Sequence, residues 1–207
     1  MIDLVVLVPD RNMEYAIKGI LNRKQSLGIH SVKFEVHVHP AHDPGCFIDG
    51  PEFLRFALNQ ARHALIALDH EGSGQEHNMN RLEMEDELEK RLADMGWSGR
   101  SAAVVIAPEL ENWVWSDSPH VDTALGWIGR EPTLRKWLLQ RGYLKKNEMK
   151  PSRPKEALQQ ALRAAGKSRT SRLYTVLSEQ VGFDRCIDPA FIKLRTTLKT
   201  WFSPRNT

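Results

Sequence analysis

Three stretches, "IDLVVLV" (2–8), "HALIALD" (63–69) and "SAAVVIA" (101–107), are apolar almost without interruption. A strand with no polar face must be covered on both sides. Short apolar runs alternating with amphipathic stretches are the pattern of a parallel sheet wrapped by helices. A fourth run, "VKFEVHVH" (32–39), alternates and reads as a strand with one polar face. Met13, Ala16, Ile17, Ile20 and Leu21 repeat at helical spacing before a stop at Gly28, and "PEFLRFALNQA" (51–61) and residues 79–95 also read as helices. In the last of these, Leu82, Leu88, Leu92 and Met95 are assigned inward. Its acids Glu83, Glu85, Asp86, Glu87 and Glu89 are assigned mostly outward, as a solvated face without chemistry. The expected fold is α/β, a doubly wound, mainly parallel four-stranded sheet with a C-terminal helical region.

Strand signals stop near residue 130. "RPKEALQQALRAAG" (153–166), "RLYTVLSEQVG" (172–182) and "DPAFIKLRTTLKTWF" (188–202) read as helices, the last with Asp188 as N-cap and Pro189 at its first position. The basic, proline-containing "KKNEMKPSRPK" (145–155) reads as a loop. Charge divides at the same place. Residues 1–129 hold 11 Lys and Arg against 20 Asp and Glu, whereas residues 130–207 hold 18 against 6. This predicts an α/β domain over 1–129 and a basic helical region over 130–207. The basic part meets either a polyanion or the acidic part of its own chain. No apolar run reaches the roughly 20 residues a membrane span requires, and the start, "MIDLVVLVPD", lacks a basic leader segment. Two cysteines, Cys46 and Cys186, do not make a disulfide framework in a chain of this size. The expectation is a cytoplasmic protein with reduced thiols and no membrane partner.

The chemistry-bearing residues gather after the apolar runs. Asp10 and Glu14 follow the first strand, Asp69 and Glu71 the third, and Glu109 and Glu111 the fourth. Open parallel sheets bind ligands beyond the carboxyl ends of their strands. Carboxylates gathered there suit hard divalent cations, which take oxygen ligands and leave positions for phosphate oxygens. For each acid alone a structural role is the simpler reading: Asp10 as a helix N-cap, Glu14 as a first-turn acid, Asp69 as a strand end.

The order of these motifs resembles the TOPRIM fold, the metal-binding α/β domain of topoisomerases, bacterial primases and OLD-family nucleases, over roughly residues 1–120. Asp10-Arg11-Asn12-Met13-Glu14 matches the family's Glu-Gly-x-x-Asp/Glu element, and Asp69-His70-Glu71 its Asp-x-Asp element. Glu111-Asn112-Trp113 is similar to the acid-x-Trp element of a small TOPRIM-like group associated with phage-defence islands, and "CIDPAF" (186–191) is similar to the same group. The resemblance implies Mg²⁺ or Mn²⁺ on Asp69, Glu71 and Glu111, with Asp10 and Glu14 as general acid/base or a further ligand. The implied reaction is phosphodiester cleavage in DNA or RNA, within an anti-phage defence complex whose other subunits are partners. Arg11 and the basic stretch carrying Lys167, Arg169 and Arg172 are the expected nucleic-acid contacts. Asp10 and Arg11 stand where the family carries glutamate and glycine. On that departure the alternative is a catalytically inactive, partner-binding or regulatory subunit.

The stretch "HVHPAHDPGC" holds His37, His39, His42, Asp43 and Cys46, whose spacing fits no established zinc motif, so structural histidines are expected, with zinc as the alternative. "GSG" (72–74) lacks the Gly-Lys-Ser/Thr of a phosphate-binding loop and reads as a flexible turn. Trp113 and Trp115 flank the acids and are expected as core or interface anchors, with base stacking as the minority reading.

Overall fold

A computed structural model describes residues 1–184 and 186–204. The chain runs β1 (Ile2–Val8), α1 (Arg11–Asn22), α2 (Lys24–Leu27), β2 (Phe34–Val38), α3 (His42–Ile48), α4 (Gly50–Phe53), β3 (Ala61–Asp69), α5 (Arg81–Leu92) and β4 (Ser101–Ile106). Six further helices follow: α6 (Glu111–Val114), α7 (Pro119–Leu125), α8 (Leu134–Gln140), α9 (Pro154–Ala164), α10 (Ser171–Gln180) and α11 (Pro189–Phe202). All four strands are parallel, in the order β2-β1-β3-β4. Both faces of the sheet are covered, as the unbroken apolar runs require. Alternate residues of β1 feed separate cores: Leu4, Val6 and Val8 pack with α1 and the C-terminal helices, Val5 and Leu7 with α3 and α5. β3 and β4 divide in the same way. The fold is thus doubly wound α/β.

Helix α1 is set by Asp10, whose Oδ1 accepts from Met13 N at 2.9 Å, and its expected apolar stripe is buried. The helical stretch stops at Gly28, which adopts φ +71°. The expected helix over 51–61 is broken. α4 gives way to a 3-10 turn over Leu54–Ala57, which sends Leu54 and Ala57, three residues apart, into one core.

Helix α5 corrects the expected facing of its acids and apolar residues. Leu82 and Met95 are exposed, whereas Met84 and Glu85 are buried. β4 is an edge strand, and its outer N–H groups need acceptors. Glu85 Oε1 accepts from Val105 N at 2.9 Å and Glu89 Oε1 from Ala103 N at 3.0 Å. Lys193 of α11 closes over both glutamates, at 3.2 and 2.7 Å. Two glutamates of a nominally solvated run therefore close the edge of the sheet.

The basic region beyond residue 129 packs as part of the main core. Leu158, Leu162, Leu177, Phe191, Leu194 and Leu198 share one cluster with Leu4, Val6, Leu65 and Val104 of the sheet. α10 lies so close to α1 that a Cβ on Gly19 would stand 1.8 Å from Ser178 Oγ. Arg23 fastens the same crossing by donating to the carbonyls of Ser178 and Val181, at 2.9 and 2.5 Å. Among the described residues, no helix is long and apolar enough to cross a membrane.

Candidate functional site

The strand order places the topological switch between β1 and β3, because β1 connects outward to β2 and the chain then returns across it to β3. Crevices form at such points beyond the carboxyl ends of the strands. Asp10 follows β1 there, Asp69 ends β3, and Glu109 and Glu111 follow the neighbouring β4. Asp43, in the first turn of α3, joins them: its Oδ1 accepts from Asp69 N at 2.8 Å. Asp69 Oδ1 in turn accepts from Leu110 N at 2.8 Å, which ties the end of β3 to the chain leaving β4.

These carboxylates act on one another. Asp69 is raised well above the usual carboxylate range, first by burial and then by Asp43, Glu111, Asp10 and Glu109. Asp43 is pushed up to about 6 by burial, against the Asp69 N–H, with Asp10 adding to the rise. Burial also raises Glu109, with Glu111 contributing.

Two cations from the basic region answer part of this charge. Arg169 pairs with Glu111 through Oε1, to which the Tyr174 hydroxyl also donates at 2.5 Å; Arg169 Nε donates to Tyr174 at 2.9 Å. Burial and Glu111 together push the Tyr174 phenol up. The Lys155 backbone N–H donates to Glu109 at 2.9 Å, and its ammonium lies 3.5 Å from the same carboxylate. Burial opposes the Lys155 charge, but Glu111 and Glu109 outweigh it and raise the group above its ordinary value. Five carboxylates thus face two cations.

The structure brings Asp10, Asp69 and Glu111 of the expected site together, sets Glu71 at the border, where its charge adds to the rise of Glu109, and turns Glu14 to a partner on its own helix. Glu14 pairs with Lys18, one turn along α1, at 2.6 Å. Glu71 is exposed on the loop after β3, with its N–H on Pro108 O. Arg169, expected to contact phosphate, has an internal partner in Glu111. Arg11 and Arg172 are exposed; so is Lys167, which nevertheless donates to Ala124 O at 3.2 Å. Asp43, Lys155 and Tyr174 were not among the expected site residues. Asp43 stood in the sequence as a neighbour of histidines, and only the arrival of α3 beside β3 gives it a role.

Among the described residues the histidines and Cys46 do not gather as a ligand set, and each has local contacts. His39 packs against Gly45, where a Cβ would stand 2.1 Å from its ring, and Nδ1 accepts from Ala41 N at 3.1 Å. His42 Nδ1 lies 3.0 Å from Pro9 O, His37 lies beside Glu35, and Cys46 is buried. The stretches 111–113 and 186–191 meet directly. Asp188 accepts from Asn112 Nδ2 at 2.7 Å and Trp113 Nε1 at 2.9 Å while capping α11 through Ala190 N and Phe191 N.

The donor set suits a hard divalent cation. Asp10, Asp43 and Asp69 each commit one oxygen to a backbone N–H, which fixes the carboxylate, and the second oxygen of Asp10 has only a long contact, 3.5 Å, from Asn12 Nδ2. Among the described residues, no three Asp, Glu, His or Cys side chains stand as a ready-made ligand set. The carboxylates are oriented by backbone donors and would have to draw together around an ion. Comparison with protein-family models, curated proteins and solved structures returns no match.

Proposed function

We propose that this chain is a Mg²⁺- or Mn²⁺-dependent nuclease, or the nuclease subunit of a larger assembly, acting on DNA or RNA in anti-phage defence. The observation that carries the chemistry is the gathering of Asp10, Asp43 and Asp69 at the switch point, where Asp43 accepts from Asp69 N and Asp69 from Leu110 N, flanked by Arg169 and Lys155. The motif order similar to TOPRIM nucleases supports the reaction type and the setting. In this reading Asp10, Asp43 and Asp69 hold the ion. A bound divalent cation would neutralise a phosphate oxygen and lower the pKa of water beside it. Because burial and Asp10 push Asp43 up to about 6, a divalent cation taken up there would displace its proton, so metal uptake competes with protonation. Lys155 orients a phosphate at the rim, and the exposed Arg11, Lys167 and Arg172 contact the nucleic-acid backbone without reading its sequence.

One observation favours a second reading, an inactive regulatory subunit. Glu111, the expected third ligand, is paired with Arg169, an internal cation in a place where the first reading expects a metal. A single experiment separates the two: labelled DNA and RNA are incubated with the protein in Mg²⁺, Mn²⁺ or chelator, alongside calorimetric titration of Mn²⁺. The nuclease reading expects metal-dependent cleavage that falls by about 100-fold or more in Asp69→Asn and Asp43→Asn. Cleavage that survives both substitutions sinks it. No Mn²⁺ uptake, with salt-sensitive nucleic-acid binding retained, establishes the regulatory reading.

A further inference from the structure

Between α1, α6, α10 and residues 181–183, 186 and 187 lies a cavity of about 300 Å³. Packed interiors rarely leave voids much larger than a water molecule. A cavity of about 150 Å³ lined by aliphatic and aromatic side chains accepts a benzene ring, and small-molecule sites begin near 300 Å³. The space therefore matches about two such rings or a medium-length acyl chain.

Its walls are mostly apolar and are held in place by their own contacts. Trp113 and Phe191 meet edge to face at 5.4 Å, and Phe183 packs on Phe191 at 5.1 Å. Asp188 fixes the Trp113 indole, and the Arg23 guanidinium lies 4.0 Å over the Phe183 ring. Ile20 and Leu177 also line it. Such a pocket is formed before a ligand arrives.

Among its polar groups, Tyr174, Ser118 and Ser178 already have partners, and two others keep donor capacity. Ser116 lines the cavity with its Oγ buried and without a hydrogen-bond partner among the described residues. Lys150, also at the wall, spends one donor on Asn112 O at 2.7 Å; its other neighbour, Asp188, lies at 3.8 Å and is already committed to Asn112, Trp113 and the start of α11. An ammonium only donates, and a hydroxyl can donate. Each can donate to an acceptor held in the cavity, and the Lys150 charge favours an anionic one. Asp117 also borders the space, but it is exposed, where solvent and salt weaken its repulsion.

We infer that this cavity binds a small monocarboxylate with an apolar body, its carboxylate on Lys150 and Ser116 and its body among Trp113, Phe183, Phe191 and Leu177. The cavity is separate from the carboxylate crevice, and Tyr174 borders both.

The test uses the full chain, octanoate as probe and 1-octanol as neutral control. Binding is read from tryptophan emission, since Trp113 and Trp115 line the space, and from the rate at which a thiol reagent modifies Cys186. Cys186 borders the cavity and is partly exposed, whereas Cys46 is fully buried, so the fast-reacting thiol is Cys186. Saturating octanoate is expected to slow Cys186 modification several-fold. Lys150→Met should weaken octanoate by about tenfold, as expected for loss of one charge-assisted hydrogen bond, and leave octanol unchanged. Gly182→Trp, at a wall position where an added Cβ meets nothing within 4 Å, should abolish binding of both probes. Absence of any change in emission and labelling with millimolar octanoate overturns the assignment. So does octanoate binding that Lys150→Met leaves intact, or Cys186 protection that follows protein concentration instead of octanoate, which assigns the cavity to a second copy of the chain.

Discussion

Asp43 carries its proton to about pH 6 because the crevice offers it a buried place beside Asp10 and Asp69. A carboxylate held above its ordinary 3.8 binds more protons folded than unfolded between those two values. Stability therefore falls as pH rises through that window and stays lower above it. Asp43→Asn keeps an acceptor for the Asp69 N–H and removes the charge. It should stabilise the protein above pH 6 by about 1–2 kcal/mol, a rise in melting temperature of roughly 3–6 °C, and give no gain below about pH 4. Thermal melts across pH 3.5–8 check this, and a variant less stable than the parent at pH 7.5 contradicts the coupling.

Helices α1 and α10 meet at Gly19 because any side chain there would run into Ser178. Gly19→Ala should destabilise the chain by about 1–3 kcal/mol despite alanine's better helix propensity, since overpacking outweighs the propensity gain. Adding Ser178→Ala removes the nearest atom and should restore most of the loss; denaturant unfolding of the single and double variants measures both. If Gly19→Ala proves neutral, the two helices are not held at this distance. The contact bears on the crevice as well, because α10 carries Tyr174 and follows Arg169, the two groups that hold Glu111. Helix α5 shows the same dependence on neighbours. Its glutamates read as a solvated face until the open edge of β4 supplies N–H donors for Glu85 and Glu89.

The opposite charges of the two halves are partly spent within the molecule, where Arg169, Lys155 and Lys193 of the basic region answer Glu111, Glu109, Glu85 and Glu89 of the acidic one. Because the C-terminal helices complete the main core, a fragment of residues 1–129 would expose the apolar face that Leu158, Leu177, Phe191 and Leu198 now cover. That fragment should bind a hydrophobic dye and melt without a cooperative transition, whereas the full chain melts in one step. A fragment with a sharp transition near that of the whole protein would show that the α/β part folds alone.

The amino-acid sequence by itself determined the sheet. Unbroken apolar runs at 2–8, 63–69 and 101–107 have no polar face to offer water, so they become parallel strands covered on both faces, whether central like β1 and β3 or at the edge like β4. It also determined the caps at Asp10 and Asp188 and the stop at Gly28, because these are local hydrogen-bond and backbone constraints. Tertiary structure alone decided which acids meet. Glu14 and Glu71 lie near the expected positions along the chain, yet one pairs with Lys18 and the other stays exposed, while Asp43 arrives from a separate helix. The reason is physical: strand and cap formation depend on residues a few positions apart. The charge environment of a carboxylate depends on every element within a few ångströms, whatever its distance along the chain.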